Sequence, residues 1–211
     1  MSERQTDGFY RVCVKVYASE QAIEDDAKLF VPIFHEWIRD GTPGGLVLLD
    51  VADYAHVPES PGIMLISHEV NFSMDRTDGR FGLLAQRRIP IDGSPVDAVT
   101  KTLRQTLEVA SRLEQHPRVD GAFTLDAAVL RIEANDRLHL PNSDGGYEAF
   151  APIVREAVAR VLGGAPPIVT RVENDPRDRL AVSVGGVRIA ERTFGQSSEA
   201  LDAAVSGNSA D

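Results

Sequence analysis

The chain has 211 residues, 43% hydrophobic and 26% charged, which is enough to bury a core and too apolar for wholesale disorder. Its 32 acidic and 22 basic residues leave a formal net charge of −10, a balance that repels phosphate backbones and argues against nonspecific nucleic-acid binding. A single cysteine, Cys13, excludes an intrachain disulfide framework, and the longest aliphatic runs, such as Leu46-Val47-Leu48-Leu49, fall far short of a membrane span.

Residues 1–8 are polar and lack the apolar centre of a signal peptide, so a cytoplasmic setting is expected. The excess of arginine over lysine, 19 against 3, reads as genome composition. Residues 10–17 alternate and are rich in β-branched side chains, which predicts a first strand with Cys13 as a small buried residue. The acidic residues 19–27 predict a connection or short helical turn. Phe30, Ile33, Phe34, Trp37 and Ile38 then recur at helical spacing, with Pro32 in the first turn and Gly41 at the C-terminal cap. On this helix Trp37 is a core anchor and His35 lies on the solvated side.

Strands are predicted over residues 46–57 and 62–73, joined by the loop Pro58-Glu59-Ser60-Pro61, and a third over 81–89 after a turn at 75–80. The three make an antiparallel meander. Ser94 as N-cap and Pro95 as first residue open a long helix whose apolar face is Val96, Val99, Leu103, Leu107, Ala110 and Leu113. His116 sits near its C-terminus, where a cation meets a favourable dipole, and Pro117 stops it. A strand over 123–133 follows, then a helix from Asn142 or Ser143 to Gly163-Gly164, then a hairpin of 168–172 and 180–189. Residues 195–211 are small, polar and acidic and predict a disordered tail. The predicted order β-α-β-β-β-α-β-α-β-β defines an α+β fold with two or three helices on one face of a largely antiparallel sheet. One domain is expected over residues 8–194, with the hairpin 166–190 as an integral part or an appendage.

The segment Asp50-Val51-Ala52-Asp53-Tyr54-Ala55-His56-Val57-Pro58, followed by Pro61-Gly62-Ile63-Met64-Leu65-Ile66-Ser67-His68-Glu69, is unusual for a strand pair. Together with Phe34-His35-Glu36-Trp37-Ile38 it resembles the signature of a bacterial protein family with no assigned activity, a likeness that spans roughly residues 10–162. The resemblance implies a cytosolic origin and carries over no catalytic residue.

Antiparallel pairing about the loop 58–61 sets Val57 opposite Gly62, Val51 opposite His68 and Asp50 opposite Glu69. Asp53 and His68 are then diagonal neighbours, about 7–8 Å apart at Cα, and the next turn brings Arg87 opposite His68. In one reading Asp53 polarises His68 as a base or ligand; in the other the pair is structural. Register decides, because a one-residue slip sends one partner to the other face. Asp50, Asp53 and His56, with His68 across the hairpin, offer oxygen and imidazole ligands to a divalent metal. Asp50 and His56 point away from Asp53 on a regular strand, so a shared ion requires a bulge. His139 falls in a loop with no readable role.

No phosphate loop, dinucleotide fingerprint, nucleophile elbow or paired-cysteine motif is present, and no cofactor is implied by motif. Two functions stay open. One is an accessory protein that binds a protein partner, or a second copy of itself, for which the outer strand of the meander offers an edge. The other is an enzyme or a small-ligand or metal-binding protein with its site at Asp53, His56, His68 and Arg87.

Overall fold

The first strand, β1 (Val12–Ala18), lies at the centre of the sheet, and every one of its residues is buried. The computed structural model describes residues 11–19, 27–43, 45–54, 56–57, 60–121 and 123–187; the predicted tail lies outside them. After β1 come α1 (Phe30–Asp40), β2 (Leu48–Asp53), β3 (Ile63–Ser67), β4 (Val70–Asp75), β5 (Gly82–Arg87), α2 (Pro95–Glu114), β6 (Leu125–Ala134), α3 (Asp144–Leu162), β7 (Ile168–Arg171) and β8 (Leu180–Gly185). The strands form one eight-stranded sheet in the order β2-β3-β4-β5-β1-β6-β8-β7, and the paired strands are antiparallel. The fold is therefore α+β with a largely antiparallel sheet, as the sequence predicts. The final hairpin joins the same sheet, because β8 pairs with β6 from Leu130↔Val184 to Ala134↔Leu180.

The meander has four strands where the sequence predicts three. The apolar run 62–73 folds back on itself at His68-Glu69, giving β3 and β4 paired through Leu65↔Phe72 and Ile63↔Met74. This turn contains no glycine or asparagine, and neither central residue adopts positive φ. Ser67 supplies the turn chemistry: its Oγ donates to the Val70 carbonyl at 2.5 Å and accepts from the Val70 N–H at 3.1 Å.

Register assigns the two faces. One row across the sheet reads Val51–Leu65–Phe72–Ala85–Val14–Ile132–Val182–Arg171. This face meets the helices: α2 lies on β1, β5 and β6, α1 on β2 and β3, and α3 on β7 and β8. Val12, Val14 and Val16 join Leu103, Leu107 and Val154 in one continuous apolar cluster. Phe30, Phe81 and Phe123 pack edge-on or tilted at 6.1–6.3 Å, and Trp37, 4% exposed, closes that end.

The helix ends follow the local chemistry. Gly41 caps α1 with φ 66°, a left-handed conformation that favours glycine. Ser94 and Asp97 form a reciprocal capping box at the start of α2, with Pro95 in its first turn. Among the described residues no helix is long and apolar enough to cross a membrane.

Candidate functional site

The structure does not bring Asp53 and His68 together. Asp53 pairs with Ile63, not in the register 53↔66 that a short 58–61 loop imposes. His68 lies five positions beyond Ile63, about 17 Å along a strand at about 3.3 Å per residue. Two features shift the register. The connection between β2 and β3 runs from Tyr54 to Gly62, where the Tyr54 N–H donates to the Gly62 carbonyl at 3.0 Å. A bulge at Leu49 then separates Leu48↔Ser67 from Asp50↔Ile66. Asp50, Asp53, His56 and His68 are all exposed. Among the described residues no three or more His, Cys, Asp or Glu side chains gather in a way that could hold a metal ion.

Arg87 also has a different neighbour from the expected one. It pairs with Val70 and lies on the helix-covered face, 1% exposed. Its Nε donates to Thr102 Oγ1 at 2.7 Å and its Nη2 to Gln105 Oε1 at 2.5 Å, both on α2. Glu69, rather than His68, supplies the counter-charge, with Oε2 3.6 Å from Arg87 Nη1 and 3.2 Å from Lys101 Nζ. Burial lowers the Arg87 pKa and Glu69 works against it. For Glu69 itself burial pulls upward, but Lys101 and Arg87 outweigh it and hold the carboxyl low. Arg87 thus ties the β3–β4 turn and β5 to α2.

Polar groups gather instead on the face opposite α1, α2 and α3. Its row across the sheet reads Ala52–Met64–Ser73–Leu84–Lys15–Arg131–Ser183–Thr170. Lys15, 2% exposed, reaches Asp75 Oδ2 at 2.6 Å, Asp78 Oδ1 at 2.5 Å and the Arg80 carbonyl at 2.8 Å. The Tyr17 hydroxyl donates to Asp78 Oδ2 at 2.8 Å, and the Arg80 guanidinium stacks 3.9 Å over the Tyr17 ring. On β6, Arg131 Nε donates to Glu133 Oε1 at 2.8 Å, and Arg179 approaches Glu133 Oε2 at 3.5 Å. Lys15, Asp75, Asp78, Arg131, Glu133 and Arg179 border a groove of about 590 Å³ between the β4–β5 turn and the β7–β8 loop.

The charged groups of the network pair with one another. Burial, then the hydrogen bond to Asp78, raises the Tyr17 pKa and keeps its hydroxyl protonated. Burial, reinforced by Glu133, pushes the Cys13 thiol up to about 12, so it is no nucleophile at neutral pH. The sequence reading missed this network. Its one local signal is Lys15, a cation in the middle of the Val-rich first strand.

The last feature is the β2 edge. β2 is an outermost strand, and among the described residues no strand pairs with its other side. The Tyr54-to-Gly62 bond and antiparallel alternation turn the backbone N–H groups of Val51 and Asp53 toward that open side. Asp50 Oδ1 accepts the Val51 N–H at 2.8 Å. Seven large apolar side chains are exposed among the described residues, and four of them, Val47, Leu49, Tyr54 and Val57, lie in this one stretch. The chain matches no protein-family model, no curated protein and no solved structure.

Proposed function

We propose that the protein works by binding a protein partner at the edge of β2. The concentration of exposed Val47, Leu49, Tyr54 and Val57 on and just beside an outermost strand, Leu49 within β2 and the other three flanking it, carries this reading. Edge strands present unpaired backbone groups that can add a strand from another chain, and exposed apolar side chains then supply specificity. The charged face supports the same reading from the other side: Lys15, Asp75, Asp78, Arg131, Glu133 and Arg179 pair among themselves, and the Cys13 thiol and Tyr17 hydroxyl on that face stay protonated. The separation of Asp53 from His68, with Arg87 buried beneath α2, gives the enzyme reading little support.

The test compares affinity capture by the native chain with capture by a Val47→Asp/Leu49→Asp variant, after circular dichroism shows both folded. A stoichiometric partner held by the native chain and lost by the variant is the expected result. Equal recovery by both chains, or repeated capture with nothing bound, would overturn the proposal.

A further inference from the structure

The loop between β7 and β8 is pinned by its own polar side chains. Asp175 Oδ1 accepts the Arg177 N–H at 2.8 Å, an Asx turn about Pro176. Asn142 Nδ2 donates to Asn174 Oδ1 at 2.7 Å and to the Asp175 carbonyl at 3.0 Å. Arg137, just past β6, donates from Nη1 to the Arg177 carbonyl. Arg177 and Arg179 are thereby held beside Arg137, and the three arginines, with Asn135 and Asp178, line a groove of about 310 Å³.

The three guanidiniums are unequally occupied. Arg177 gives Nε and Nη2 to Asp175, at 3.0 and 2.8 Å. Arg179 Nη1 lies 3.5 Å from Glu133 Oε2 and 3.6 Å from Cys13 Sγ. Each guanidinium carries more N–H donors than these contacts use. Arg137 differs in kind, because its contact is a neutral carbonyl, which leaves its charge unanswered. Asp178 is the carboxylate of the lining and opposes an anion there. The formal charge of −10 opposes one too, but at physiological salt that repulsion is largely screened beyond about 8 Å, so the local groups decide. Carboxylates and phosphates accept paired N–H bonds from guanidinium.

Asn135 also lines a second groove, of about 490 Å³, with Arg11, Pro90 and Leu138. Asp136 and His139 border it as well and hold each other at 2.9 Å. Leu138 follows Arg137 in the chain and is 86% exposed. An apolar wall therefore adjoins the arginine groove, the combination that small-ligand sites use to bury a body and orient a polar head.

We infer that the two grooves form one site for a small organic anion. Its carboxylate or phosphate is held by Arg137, Arg177 and Arg179, and its apolar part lies on Pro90 and Leu138. The site is built at β6 and β8, on the other side of β1 from β2, and is independent of the edge reading.

Benzoate and phenyl phosphate are the probes, with phenol and inorganic phosphate for comparison, titrated into the full chain at fixed ionic strength. Binding is read from chemical shifts of the Asn135 amide and the arginine Nε–H groups. At least one aryl anion should shift Asn135, Arg137 and Arg177 saturably, and the tighter of the two identifies the head group. It should bind about tenfold more tightly than phenol or inorganic phosphate, and Arg137→Gln should remove about that factor, the usual worth of a hydrogen bond to a charged group. Asp178→Asn should tighten binding, since it removes the opposing charge. The inference is overturned if neither aryl anion shifts these groups saturably, or if phenol or inorganic phosphate binds equally well. Shifts spread over exposed arginines such as Arg39, or native affinity in Arg137→Gln, would overturn it too. So would unchanged or weaker binding in Asp178→Asn, a test that stands even where Arg137→Gln fails to fold.

Discussion

Lys15 Nζ lies 2.6 Å from Asp75 Oδ2 with 2% of each side chain exposed, so a buried ion pair sits on the sheet face opposite α1, α2 and α3. It joins the central strand β1 to the β4–β5 turn, and Asp78 and the Arg80 carbonyl complete the coordination of the ammonium. Such pairs fix geometry more than they add stability, but losing one member strands the other charge in a poorly solvated place. Lys15→Met is therefore expected to lower stability by about 3–5 kcal/mol, the usual cost of breaking a buried pair. A Lys15→Met/Asp75→Leu double variant should recover part of that loss. Urea denaturation of the native, single and double variants measures the coupling. Additive losses would mean that the two side chains do not act as a unit.

The same cluster sets the acid limb of stability. Burial alone would raise the Asp78 pKa, but the hydrogen bond and charge of Lys15, with the Tyr17 hydroxyl, hold it below the usual carboxylate value. A carboxyl depressed on folding contributes stability that is fully present above its unfolded pKa, near 3.9, and is lost as pH falls through the folded value. Denaturation midpoints should therefore drop below about pH 4, and Asp78→Asn should lower the neutral-pH midpoint while flattening that drop. An unchanged acid limb in Asp78→Asn would remove Asp78 from the account.

Cys13 provides a probe of β1. It is buried at the centre of the sheet, and its thiol is pushed up to about 12, chiefly by burial. Only the thiolate reacts with disulfide reagents, so colour development with an aromatic disulfide at pH 8 should be slow in buffer and fast in urea. Rapid stoichiometric labelling of the native chain would show that β1 opens readily.

The elements that sequence predicted well are those whose signals are local. The Ser94-Pro95-x-Asp97 start of α2 and the Gly41 end of α1 state their own boundaries. The spacing of Phe30, Ile33, Phe34 and Trp37 identifies the buried side of α1. The candidate site depended on strand register, which is not local. A bulge at Leu49 reverses which residues of β2 face the helices, letting Leu48 and Val51 both pack on the core. The turn at His68-Glu69 is made by the Ser67 hydroxyl and lacks the glycine that marks most tight hairpins, so two strands read as one. Lys15 and Asp75 are 60 residues apart, and the pairing of β5 with both β1 and β4 makes them neighbours.

The dispersal of the predicted cluster has a direct mutational consequence. Arg87 is 1% exposed and held by Thr102, Gln105 and Glu69, whereas His68 is exposed in the turn and Asp53 is exposed near the far end of β3. Arg87→Met leaves the Thr102 hydroxyl and Gln105 amide without their charged partner beneath α2, and should cost about 2–4 kcal/mol, toward the upper range for single substitutions. His68→Gln removes no partner of Arg87 and should stay within about 0.5 kcal/mol of the native chain, as surface substitutions do. Pairing His68→Gln with Asp53→Asn should be additive, because the two are far enough apart to share no contact. Thermal denaturation of the three single variants and the pair tests all of these at once. A coupling above about 1 kcal/mol between Asp53 and His68 would contradict the register Asp53↔Ile63 and restore the site that the sequence pattern first suggests.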